Sequence, residues 1–115
     1  FGGHPVSCAA GLAAAQVLEE EQLISGIKQK EALFLSLLQH PLIKTIRSAG
    51  LLMAVEFADA ATSLKVVEAC LHNGLFTDWF LFAPQCLRIA PPLCITEEEI
   101  RLACALVLKS CNDVQ

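Results

Sequence analysis

Arg88 is the first side chain with chemistry to offer. It stands in Leu87-Arg88-Ile89-Ala90-Pro91-Pro92-Leu93, a cation inside an apolar strand just ahead of two prolines. A guanidinium grips a carboxylate through parallel hydrogen bonds in fixed geometry. A ligand carboxylate is therefore a natural partner, and an internal acid or plain exposure on an edge strand is the alternative. Glu56 is the second charge set in an apolar run, Leu51 to Phe57. It is open to acid–base work, but strand alternation also turns it outward or pairs it with Arg47. Gly2-Gly3, ahead of Pro5, permits close backbone approach and positive φ. The pair lacks the remaining glycines of a dinucleotide or Walker loop, although amides at the following helix start can add to an anion site.

The other reactive side chains are dispersed. His4 sits by the glycine turn and is a candidate cap for the first helix; His40 and His72 fall near helix ends, where the dipole favours a cation. No metal-ligand spacing exists among them, so no metal is expected. The six cysteines (Cys8, Cys70, Cys86, Cys94, Cys104, Cys111) contain no C-x-x-C pair. Most lie in or beside helical patterns, where a free thiol acts as a small hydrophobe. A thiol enzyme would need one of them to have a low pKa. Trp79, Phe80 and Phe82 read as a plug against a partner surface.

These groups need elements to hold them. Pro5 to about Glu20 predicts a helix rich in alanine, with proline in its first turn. A second helix is expected from near Gln22, with Leu23, Ile27, Phe34 and Leu38 on one face and Gly26 a weak point within it, stopping at His40-Pro41. Leu51 to Phe57 suits a buried strand. Asp59 and Thr62 offer cap chemistry before a helix over about Ser63 to His72, and Asn73-Gly74 ends it. Leu75-Phe76-Thr77 reads as a short strand and Cys86 to Ala90 as another, with the aromatic stretch from Thr77 to Gln85 as a loop between them. Thr96 and Glu99 form a capping-box pattern that opens a last helix through about Ser110.

The order is two helices, then β-α-β-β-α. It predicts an α+β domain with a small, mostly antiparallel sheet and helices on one face. Residues 1–40 form a helical segment and residues 41–115 an α+β segment of one 115-residue domain.

Composition narrows the partners. Hydrophobic residues make up 55% of the chain and mean hydropathy is +0.56, so either the core is generous or some apolar surface belongs to an interface. Eight Lys/Arg against twelve Asp/Glu leave a net charge of -4. The cations are scattered, which argues against nucleic acid. The uncharged run from Phe1 to Leu18 is too interrupted for a membrane span, and a cytoplasmic setting is expected.

Three blocks together resemble one family. Phe1-Gly2-Gly3-His4-Pro5-Val6-Ser7-Cys8-Ala9-Ala10-Gly11-Leu12-Ala13 is similar to the F-G-G-N/H-P segment of class III (ornithine/acetylornithine-type) aminotransferases. Ile46-Arg47-Ser48-Ala49-Gly50-Leu51-Leu52 with Glu56 follows in register. So does Leu87-Arg88-Ile89-Ala90-Pro91-Pro92-Leu93 with Ile95-Thr96-Glu97-Glu98-Glu99-Ile100.

The resemblance implies the C-terminal small domain of a pyridoxal 5'-phosphate enzyme of the aspartate aminotransferase fold. Such an enzyme is a homodimer that moves an amino group from an amino acid to a 2-oxo acid. Arg88 would hold the substrate carboxylate, and Phe1, Gly2 and Gly3 would border the cofactor. The family's phosphate-contacting threonine, Schiff-base lysine and pyridinium-binding aspartate would all precede Phe1. This chain alone is therefore expected to be inactive. A free-standing α+β interaction or regulatory module derived from such a domain is the alternative.

Overall fold

The computed structural model describes residues 2–114. Its elements run α1 (Pro5–Glu20), α2 (Ile27–Leu37), β1 (Thr45–Ala49), β2 (Leu52–Glu56), α3 (Ala60–His72), β3 (Asp78–Phe80), β4 (Ala83–Ile89) and α4 (Glu97–Asp113). The strands form one sheet in the order β1-β2-β4-β3, with every neighbouring pair antiparallel. The expected α+β class is thus present, with one strand more than the sequence suggested.

That extra strand is β1. Thr45–Ala49 carries a single partly buried apolar side chain, Ile46, between exposed polar ones, so it lacks the apolar run that marks β2. A two-residue connection, Gly50-Leu51, joins it to β2, with Ala49 opposite Leu52. Gly50 has φ +63, as a II′-type hairpin asks of its first central residue. A Cβ on Gly50 would also lie 2.8 Å from Ile27 Cγ2, so the hairpin can approach α2 only through a glycine.

Other boundaries differ from expectation: α3 already starts at Ala60, β4 at Ala83, and α4 runs on to Asp113. The second helix begins at Ile27 instead of near Gln22, and Gly26 is its N-cap, not an interior residue. Residues 21–26 are turns. Leu75-Phe76-Thr77 is not a strand; β3 starts at Asp78 and returns through Leu81-Phe82 into β4. The stretch from Thr77 to Gln85 is therefore largely a β-hairpin.

Caps fix the remaining helices. Asp59 accepts a hydrogen bond from the Thr62 amide at 2.8 Å and starts α3. Thr96 and Glu99 complete the capping box of α4, with Thr96 N donating to Glu99 Oε2 at 2.8 Å and Glu99 N to Thr96 Oγ1 at 3.2 Å. The Thr96 amide and hydroxyl hold the Glu99 carboxyl below its ordinary range. His4 occupies the N-cap of α1 but makes no side-chain cap bond.

The core lies between one sheet face and the helices. α3 packs on β4, α4 on α3, and α2 on α4. Met53, Val55 and Leu87 point from the sheet into this layer, where Phe34, Leu38, Val66, Ile100 and Val107 meet them. Helix α1 takes no part. None of its residues is buried.

Candidate functional site

Strand alternation sorts the sheet residues onto two faces. Leu87 and Ile89 of β4 lie opposite Val55 and Met53 and face the helices. Arg88, between them, lies opposite Ala54 on one side and Asp78 on the other. Ala54 in turn lies opposite Arg47. Four residues, Arg47-Ala54-Arg88-Asp78, therefore form one row across the face turned away from the helices. With strands about 4.8 Å apart, the two arginine backbones stand about 10 Å from one another.

Arg88 donates from Nη2 to Asp78 Oδ2 at 2.6 Å. Both side chains are close to half exposed, 45% and 42%. The strand beneath is fastened by Thr77, whose hydroxyl donates to the Arg88 carbonyl at 2.8 Å. Of the alternatives open for Arg88 in the sequence, the internal acid is thus present, and it is Asp78, which sequence reasoning did not single out. Its signal was available: an acid opening an aromatic strand that pairs with the strand of Arg88.

Glu56 pairs with Arg47, as alternation allowed. The two side chains meet diagonally, Glu56 being opposite Thr45 and Cys86. The hydrogen bond and charge of Glu56 raise the Arg47 pKa. Arg47 Nη2 also reaches the buried Cys86 Sγ at 3.4 Å. Both guanidinium–carboxylate pairs therefore lie on the same sheet face.

Gly2 and Gly3 are exposed in a turn ahead of α1, Gly3 with φ +81. Phe1 lies outside the described residues. Among the described residues no hydrogen bond joins this turn to the sheet row. His40 and His72 are occupied locally, His40 Nε2 with Asn112 Oδ1 at 3.1 Å and His72 Nδ1 with the Glu68 carbonyl at 2.8 Å. Among the described residues no group of three His, Cys, Asp or Glu side chains is placed to hold a metal. No helix among them is long and apolar enough to cross a membrane.

Cys70, Cys104 and Cys111 are not set up as nucleophiles. Cys70, Cys86, Cys104 and Cys111 are buried, and Cys8 and Cys94 are exposed. Burial pushes Cys104 up to about 11 and Cys111 up to about 12, and raises Cys70 as well. An activated thiol requires the opposite shift.

A cavity of about 310 Å³ opens on the helix side of β4, lined by Phe34, Leu38, Leu87, Cys104 and Val107 among others. Among the described residues its lining is mostly apolar, with Thr77 and Arg88 also on it and Arg88 its one charged residue.

Comparisons with known proteins agree with one another. The family model described as Aminotransferase class-III matches residues 1–110. The acetylornithine aminotransferase of Bifidobacterium longum is 36% identical over 93% of this chain, which spans 25% of that protein. An uncharacterised aminotransferase of Bacillus subtilis is 35% identical over 96% of this chain and 28% of its own length. Among solved structures, the ornithine aminotransferase of Toxoplasma gondii matches 99% of this chain and 28% of its own, with 36% identity and a TM-score of 0.86. The acetylornithine aminotransferase of Elizabethkingia anophelis matches 98% of this chain and 30% of its own, with 30% identity and a TM-score of 0.88. The chain thus spans between a quarter and three tenths of the length of these relatives.

Proposed function

Since the chain belongs to the class-III aminotransferase family, we propose that it is the C-terminal part of an enzyme that moves an amino group from an amino acid to a 2-oxo acid. Arg88 is its contribution to substrate binding. The observation that carries this reading is the placement of Arg88: a half-exposed guanidinium on an open sheet face, its strand held by the core behind it and by Thr77. Such an anchor suits bidentate recognition of a carboxylate, since the fork is presented without burial of an unpaired charge.

The cofactor of the whole enzyme is pyridoxal 5'-phosphate. The Toxoplasma gondii relative has this cofactor at its active site. When bound it supplies the electron sink for the substrate's α-carbon. Residues of this chain suit only the edge of that group. The amides at the start of α1 lack a side-chain cap, and nothing lies within 4 Å of where a Cβ on Gly2 or Gly3 would stand. A phosphate oxygen fits there. Two of the five lysines are engaged elsewhere, Lys30 with the Leu93 carbonyl and Lys109 with Asn73. No lysine here stands in the sequence setting of the family's cofactor-bearing one. This chain's role is therefore to bind and orient substrate, and alone it turns nothing over.

The exposed apolar side chains of α1, Val6, Leu12 and Val17, support assembly as a homodimer, and the enzyme acts in the cytoplasm. Residues 1–40 serve as its helical arm and residues 41–115 as the α+β body.

The test is Arg88→Lys in the full-length enzyme. A point charge in place of the fork is expected to raise KM for the carboxylated substrate about tenfold or more, with a smaller effect on kcat. Unchanged kinetics would remove Arg88 from the site.

A further inference from the structure

We propose that the cavity on the helix side of β4 is a binding site for a compact, uncharged aromatic molecule of one or two rings. The inference goes beyond amino-group transfer and does not depend on Arg88 as a carboxylate anchor.

The cavity is a pit in the packed body, not a groove across its surface. Phe34, Leu38, Leu87, Cys104 and Val107 form its floor, and each is at most 3% exposed. Its volume of about 310 Å³ stands at the lower end of the range for small-molecule sites, about 300–1,000 Å³. A space of this size takes one or two rings and excludes a folded element. Pro91 and Pro92 stand on its wall. Their rings fix the backbone there, so the shape is set before a ligand arrives.

The chemistry of the walls selects the occupant. Among the described residues Arg88 is the one charged residue on them. Strand alternation sends its guanidinium to the opposite sheet face, where Asp78 holds it. The Thr77 hydroxyl is engaged by the Arg88 carbonyl. An ion entering here would lose its hydration with no countercharge to meet it, and water finds few polar partners. The burial that pushes the Cys104 thiol up to about 11 reflects the same apolar setting. An aromatic ring, by contrast, gains contact with Phe34 and with the Cys104 sulfur, both favourable neighbours for a π-system. Phe76 adds a further surface at the mouth, since it lines the cavity yet is 89% exposed. A bound ring covers part of that side chain, and removing its apolar surface from water adds to the affinity.

Titration of this chain with indole tests the idea, followed through the NMR amide signals of Leu87, Cys104 and Val107. Saturable shifts at these amides are expected, with a Kd of about a millimolar or below. Ala103→Leu enlarges a wall residue on α4 and should weaken indole about tenfold or more. Should Ala103→Leu fail to fold, Phe76→Ala, at an exposed side chain, makes the test by weakening indole about threefold. Benzoate, a single ring that carries a charge, should bind at these amides at least about tenfold more weakly than indole. Absence of saturable shifts would overturn the proposal. So would an indole Kd unchanged in Ala103→Leu, or in Phe76→Ala where that variant replaces it. Benzoate binding at these amides as tightly as indole would overturn it as well. Shifts of the same amides that grow with chain concentration in the absence of indole would put a second copy in the cavity, against the proposal. In the full-length enzyme, equilibrium dialysis should recover indole binding that Ala103→Leu weakens. Its absence there would mean that the remainder of the enzyme fills the cavity, and the proposal would fall.

Discussion

Arg47 and Arg88 look alike in the sequence, each a cation beside apolar strand residues, yet the fold gives them different settings. Arg47 contacts Glu56 and covers Cys86, which is fully buried beneath it. Arg88 has one exposed acid and a bare flank. The cysteines separate in the same way. Iodoacetamide at about pH 8 should alkylate Cys8 and Cys94 quickly and the other four only after unfolding, as peptide mass spectrometry would show. Equal labelling of all six in the folded chain would contradict the buried assignments. The raised thiol pKa values carry a second consequence. Unfolded cysteines ionise near 9, whereas burial holds Cys104 to about 11 and Cys111 to about 12. Between those values the unfolded chain binds fewer protons than the folded one, so stability present at neutral pH falls as pH rises from 9 toward 12. The chain has no tyrosine to mask this window. A urea midpoint that stays flat from pH 8 to about 11 would count against it.

At the scale of elements, what the sequence disclosed depended on how local the signal was. The start of α1, the Asp59 cap, the Asn73-Gly74 stop and the Thr96–Glu99 box are short-range devices, and each appears where its residues stand. β1 was hidden because its pairing with β2 is a tertiary fact, and Thr45–Ala49 alone has too few apolar side chains to announce a strand. The Asp78–Arg88 pair was hidden for the same reason, since it depends on register between β3 and β4. The late start of α2 has a particular cause. Gln22 adopts φ +51, and its amide bonds the Glu19 carbonyl while the Leu23 amide bonds that of Leu18, both at 3.2 Å. This is a Schellman stop, formed with glutamine where glycine is usual. The apolar spacing of Leu23 and Ile27 continues across it and so imitates an unbroken helix. A non-glycine residue in the left-handed region costs about 1 kcal/mol or more. Gln22→Gly should therefore stabilise the folded end of α1 by about 0.5–1 kcal/mol, less whatever the bond from Gln22 Nε2 to the Glu19 carbonyl contributes, which slower exchange of the α1 amides would report. Faster exchange of those amides would show that this side-chain bond outweighs the backbone strain.

Across the whole molecule, the apolar side chains divide between a packed body and an uncovered helix. The sheet and α2 to α4 enclose a full core, while α1 leaves Val6, Leu12 and Val17 in solvent. The radius of gyration is 16.2 Å, against about 13 Å for a compact domain of this size, and the projecting α1 accounts for the difference. A sixteen-residue helix with no buried residue is marginal in water even when rich in alanine. Its amide bonds should therefore open independently of the rest. Hydrogen exchange on the dilute chain is expected to show α1 protected only weakly, while β2, β4 and α4 exchange through global unfolding. The same experiment at rising concentration separates two sources of order. If a second copy covers α1, its protection grows with concentration and the α4 amides stay unchanged. If the covering surface belongs to the remainder of a larger enzyme, α1 stays weakly protected at every concentration and gains protection only in the full-length protein. Protection of α1 equal to that of α4 in the dilute chain would refute its independence from the core.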